Sequence, residues 1–108
     1  MDFNFEKTFN DMINVFTSNL AGESEHLIVF GQDLLKQSKT KLETLSGMFI
    51  SGSIDKEQLD LRIHDVKMTI ENQLLAEEVR VKATAQKAIN GAIDVLTSAL
   101  STALKLPI

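Results

Sequence analysis

Residues 58–81 read QLDLRIHDVKMTIENQLLAEEVRV, and the fold turns on whether this stretch is strand or helix. Its first half alternates apolar and polar side chains. Leu59, Leu61 and Ile63 are followed by Val66, Met68 and Ile70, with His64-Asp65 between them as a two-residue turn. That is the pattern of a hairpin over 59–70. Three observations oppose it. His-Asp suits poorly the positive φ values such turns require, which favour Asn-Gly or Asp-Gly. A lone hairpin in an otherwise helical chain needs something to pack on. The flanks are rich in Glu, Gln, Leu, Ala and Lys, the strong helix formers. The stretch therefore predicts helix.

Wound at about 100° per residue, it is apolar on two sides. Leu59, Ile63, Val66, Ile70, Leu74 and Val81 share one sector, and Leu61, Met68, Leu75 and Val79 share the opposite one. Asp60, Arg62, Asp65, Lys67, Glu71, Glu78 and Arg80 lie between the two. Leu59, Ile70, Val81, Ala92 and Ala103 also recur every 11 residues, the period of a nearly straight helix.

Working outward, this helix starts near Ser53, with Asp55 and Glu57 in its first turn, and extends to Asn90-Gly91. That pair either breaks it or is absorbed, since a mid-helix glycine costs only about 1 kcal/mol. Upstream, Phe5, Phe9, Met12, Ile13, Phe16 and Leu20 mark one face of a first helix over Asn4–Leu20. Ala21-Gly22 stops it, because glycine accepts the left-handed conformation. A second helix runs from Ser24, its N-cap, to Ser46, with Leu27, Leu34, Leu35, Leu42, Leu45 and Phe49 in one stripe. Gly31 and Ser38 share that stripe and either admit a close neighbour or weaken the packing. The segment SGMFISGSID, 46–55, reads as the main turn, partly buried. Downstream, AIDVLTSALSTALKLPI carries a broad apolar face of Ala92, Ile93, Val95, Leu96, Ala99, Leu100, Ala103 and Leu104. Its charges are Asp94 and Lys105, and the chain's one proline is Pro107.

Length then constrains packing. A helix over 54–90 is about 55 Å long, whereas a compact chain of this size has a radius of gyration of about 13 Å. The expected fold is all-α, a single domain over 1–108: an elongated helical bundle of three to four helices with one long central helix. Helices one and two, end to end, cover one side of it. The other face is left for a second copy of the chain, or for the C-terminal helix folding back at Gly91. A 14-residue helix covers only about 21 Å of it. Leu61, Met68, Leu75 and Val79 are thus the expected interface, because contiguous exposed apolar surface usually marks one.

Composition narrows function more than it names it. The chain has 108 residues, 44% hydrophobic and 24% charged, a globular balance. Net charge is −4 and the pI about 5.1, which disfavours nucleic acid. The densest basic group, Lys36, Lys39 and Lys41, is flanked by Asp33 and Glu43. The absence of cysteine excludes disulfides, thiolate metal sites and thiol catalysis. MDFNFEKTFNDM lacks the basic-then-apolar pattern of a signal peptide, and no run of about 18 apolar residues predicts a membrane span. A cytoplasmic protein is expected.

No chemical motif is complete. Glu23-Ser-Glu-His26 has the Glu-x-x-His spacing of di-iron bundles, but these need a second copy and two more glutamates. Asp60 and His64, at i and i+4, are the only other candidate pair. Glu77-Glu78 point about 100° apart on a helix. Ser51-Gly52-Ser53 lacks the lysine and strand of a phosphate loop. No catalytic residue, metal site or cofactor is expected. The residues point to a non-enzymatic interaction or assembly module, coiled-coil-like in its packing, that forms homo-oligomers and also admits a second protein as partner. The alternative is a peripheral membrane or lipid-associated protein using the amphipathic C-terminal helix. Against it, that helix lacks the basic residues and aromatic anchors of surface binders.

Overall fold

Residues 58–77 are helical without interruption in the computed structural model, which describes residues 3–104. Among the described residues there is no strand. Lys105 and Pro107, used above, lie outside the described residues.

Among the described residues five α-helices follow in order: α1 (Phe5–Asn19), α2 (Glu25–Gln37), α3 (Lys39–Ile50), α4 (Lys56–Glu77) and α5 (Lys82–Leu104), with a 3-10 turn over Val79–Val81. Local chemistry sets most of the boundaries. Asn4 and Ser24 cap α1 and α2, their side-chain oxygens accepting from the backbone N–H of Lys7 and Leu27. Asp55 and Gln58 form a reciprocal capping box at α4, with Gln58 N–H donating to Asp55 Oδ1 at 2.8 Å and Asp55 N–H to Gln58 Oε1 at 3.0 Å. The helix therefore begins at Lys56 rather than near Ser53. Gly52, at φ 81°, closes α3. Ser53 N–H donates to Met48 carbonyl at 2.8 Å and Gly52 N–H to Phe49 carbonyl at 3.2 Å, the paired bonds of a Schellman ending. Met48, Phe49 and Ile50 thus belong to α3, and the expected turn over 46–55 shrinks to its second half. Gly52 is the described glycine with positive φ. Gly22 is not left-handed, and α1 ends instead with Leu20 N–H bonded to Thr17 carbonyl at 3.0 Å.

Two breaks differ from expectation. The second helix is interrupted at Ser38, whose N–H donates to Leu35 carbonyl at 3.0 Å, and it resumes as α3. The third helix ends at Glu78, not at Asn90-Gly91. Glu78 is extended (φ −150°, ψ 99°), and its carboxylate caps the following turn, accepting from Arg80 N–H at 3.3 Å. Val79 and Val81, β-branched residues of lower helix propensity, flank Arg80. Helix α5 then passes straight through Gly91.

Helix α1 packs most extensively on α5, α5 on α4, and α4 on both α2 and α3, while α1 touches α2 and closes the ring. This corrects the expectation that helices one and two together flank helix three. It is α2 and α3 that line α4, and α1 that covers α5. The described residues form five helices rather than three to four, and two long ones rather than one, 22 residues in α4 and 23 in α5. Breaking at Glu78 removes the overhang that an unbroken helix would create. The radius of gyration is 13.8 Å and the principal extents are 39 × 23 × 22 Å, so the molecule is more compact than the elongated form expected.

The core is one cluster. It takes Phe5, Phe9, Met12, Phe16 and Leu20 from α1, the leucine stripe of α2 and α3, and Leu59, Ile63, Val66, Ile70 and Leu74 from α4. Helix α5 contributes Ala85, Ala88, Ile89, Ala92, Leu96 and Leu100. Two glycines set how closely α1 is approached. A Cβ at Gly31 would stand 2.9 Å from Phe16 Cε2, and one at Gly91 would stand 2.9 Å from Val15 Cγ1 and 3.1 Å from Asn19 Nδ2. Both glycines are contact points, not helix ends.

Candidate functional site

Three regions of the surface hold the residues singled out by sequence. The first is the outer face of α4. Leu61 is 63% exposed and Val79, on the 3-10 turn, is 72% exposed. Met68 and Leu75 between them are half-buried. The four do not form one uniform open stripe, because α5 is long enough to fold along α4 and cover its middle. His64 and Asp65, both exposed, also separate Leu61 from Met68. Val29 on α2, 47% exposed, is the other large apolar residue open to solvent among the described residues.

The second region is the cleft between α4 and α5, a cavity of about 220 Å³. Met68 and Glu71 line it from α4, and Gln86, Ile89 and Asn90 from α5. Lys67 Nζ spans it, donating to Asn90 Oδ1 at 2.9 Å. Glu71 is only 7% exposed. Its Oε1 has neither solvent contact nor a hydrogen-bond partner among the described residues. Sequence reasoning placed Glu71 among the polar flanks. The signal for its burial was nonetheless present. Met68 lies three residues before it, and Leu74 and Leu75 three and four after, so covering both apolar sectors of α4 encloses the residue between them.

The third region is the corner where α4 ends and α2 begins, a cavity of about 420 Å³ bordered by Glu23, His26, Glu77, Glu78 and Arg80. His26 Nε2 stands 2.9 Å from Glu77 Oε1, and its ring stacks on Phe30 with centroids 6.4 Å apart. Arg80 grips Glu78 through Nε at 3.0 Å and Nη2 at 3.1 Å. Those side-chain bonds hold the Glu78 carboxyl below its ordinary value, and Glu78 raises Arg80 in turn. The neighbours Glu77 and Glu78 thus serve different partners and do not act as paired carboxylates. Glu23 and His26 border the same cavity, yet among the described residues no group of three or more His, Asp or Glu side chains is placed to hold a metal ion. Asp60 accepts from Lys56 Nζ at 2.6 Å, while His64 borders the α4–α5 cleft.

The remaining features found by sequence are structural. Lys39 of the basic group bonds Glu6 at 2.9 Å and lies 5.7 Å from the Phe9 ring centroid, tying α3 to α1. The C-terminal apolar face is engaged in the core, with Ala92, Leu96 and Leu100 buried and Ile93, Val95, Ala99, Ala103 and Leu104 half-buried. Among the described residues no helix is long and apolar enough to cross a membrane. Comparison with protein-family profiles, with curated proteins and with solved structures finds no match for the chain.

Proposed function

We propose that this chain is a non-enzymatic helical interaction module that associates with a second copy of itself through the outer face of α4. The observation that carries the reading is the exposure of Leu61 at 63% and Val79 at 72%, at opposite ends of that face. Leu61 lies in the second turn of α4, and Val79 lies in the 3-10 turn that follows the break at Glu78. An antiparallel arrangement of two α4 helices brings the Leu61 end of each copy towards the Val79 turn of the other. An isologous contact of this kind is the commonest way for identical chains to pair.

The energetics make this a weak association. Fully burying a Leu or Val side chain contributes roughly 1.5–3 kcal/mol, so the four outer residues of a pair supply at most roughly 6–12 kcal/mol. Lost rigid-body freedom takes back roughly 4–15 kcal/mol. The two ranges overlap, so dimers are expected only towards the high end of attainable concentration. The alternative, attachment to a lipid surface through the C-terminal helix, has less support, since Ala92, Leu96 and Leu100 are already occupied in the core. A cytoplasmic location belongs to the same proposal.

Sedimentation velocity across a concentration series tests it. The wild-type chain should show a rising mass, and the double variant Leu61→Glu, Val79→Glu should stay monomeric with an unchanged melting temperature, because both side chains already face water. A wild-type chain that is monomeric at the highest attainable concentration, or a double variant that associates equally well, sinks the proposal.

A further inference from the structure

We propose that the cleft between α4 and α5 binds an alkylammonium or alkylguanidinium group, with Glu71 as its anionic partner. The inference is independent of self-association. A buried carboxylate without a bonding partner is unfavourable, and an opposite charge with a charge-assisted hydrogen bond is what relieves it. Glu71 is 7% exposed, and its Oε1 is sealed from solvent and unbonded.

The chain holds an internal candidate for that partner and uses it elsewhere. Lys67 precedes Glu71 by four residues, a spacing that normally allows an ion pair along a helix. Its Nζ instead crosses to Asn90 Oδ1 at 2.9 Å. A neutral amide thus takes the ammonium, and the Glu71 carboxylate, which borders the cleft, goes without; because Oε1 is closed to water in the empty cleft, a cationic guest reaches it as a side chain of the cleft moves aside.

The cavity suits such a guest in size and lining. About 220 Å³ corresponds to about seven waters at about 30 Å³ each, room for a cationic head and a short alkyl stem. Met68 and Ile89 offer the stem an apolar wall, and Gln86 and Asn90 add polar lining from α5. A metal ion fits less well, because no three His, Asp or Glu side chains among the described residues converge to hold one. The same chemistry arrives from two sources, a free amine or a Lys or Arg side chain presented by a peptide.

Titration of the full chain, followed by amide NMR shifts, tests the site. The free probes are butylammonium and butylguanidinium, the peptide probes are acetylated Gly-Lys-Gly and Gly-Arg-Gly amides, and the neutral control is butylurea. Saturable shifts confined to Met68, Glu71, Gln86 and Asn90 are expected with at least one cationic probe and not with butylurea. Free probes that bind identify a small-molecule site, and binding by the peptides alone identifies a side-chain pocket. Glu71→Gln, nearly isosteric, should weaken binding at least tenfold with the fold retained, and Lys67→Met should strengthen it several-fold by removing the competing cation. The idea is overturned if no cationic probe gives localised shifts, if butylurea binds equally, if Glu71→Gln binds as wild type does, or if Lys67→Met destabilises the chain without improving binding.

Discussion

Replacing Glu71 by methionine should stabilise this protein. The two side chains have similar length, volume and helix propensity, so the change falls within what packed interiors tolerate. What it removes is a carboxylate with one oxygen sealed from water and unbonded. Leaving a buried polar group unpaired costs about 1–3 kcal/mol, and more when it is charged. The methionine also adds apolar burial worth up to about 0.8 kcal/mol per methylene equivalent. Little is lost in exchange, since Lys67 is bonded to Asn90 at 2.9 Å and not to Glu71. A net gain of about 1–3 kcal/mol is expected, which at roughly 4–8 °C per kcal/mol for a domain near this size raises the melting point by roughly 5–20 °C. Thermal melts followed by circular dichroism, with urea titrations to check that the slope is unchanged, measure it. A melting temperature that falls by several degrees would refute the reasoning. It would mean that Glu71 has a partner in solution, such as Lys67 four residues before it, and the cation site would lose its foundation with it.

Two further outcomes follow from packing. Gly31→Ala should destabilise the chain by about 1–3 kcal/mol despite alanine's better helix propensity, because its Cβ would stand 2.9 Å from Phe16 Cε2, a ring that is fully buried; an equal or higher urea midpoint would show that α1 and α2 can move apart freely. A chain ending at Gly91 should lose its cooperative melt and its solubility, because it lacks Leu96 and Leu100, both fully buried; a truncated chain that melts as the whole one does would show that α5 is not core.

The features legible in sequence were those set by periodicity and local chemistry. The 3.6-residue pattern of 58–77 outweighed the alternation over 59–70, and the stripe from Phe5 to Leu20 gave α1 to within a residue at each end. Breaks and contacts fared worse, because they are decided by partners distant in sequence. Gly91 looks like a stop, yet Val15 and Asn19 account for it. The true break at Glu78 has no glycine or proline to mark it, only a carboxylate able to cap and two β-branched neighbours. Misplacing it by a dozen residues left the C-terminal helix too short to cover α4. That error made Met68 and Leu75 look open and hid the burial of Glu71. Leu61, by contrast, is exposed as its sector on the wheel implied, while Val79 is exposed on a 3-10 turn beyond the break, where the wheel no longer applies.

The two close-contact glycines have a consequence for how the molecule opens. Gly31 reaches Phe16 and Leu20, and Gly91 reaches Val15 and Asn19, so both grip the last turn and a half of α1. The corner at Glu78 is held differently, largely by ion pairs on exposed side chains, which contribute little. Stability in a folded chain is distributed in such cooperative units, not evenly. Native-state hydrogen exchange will then be graded: backbone amides at the end of α1 exchange only through global unfolding, whereas those between Glu77 and Val81 exchange through a local opening that leaves the rest of the bundle intact.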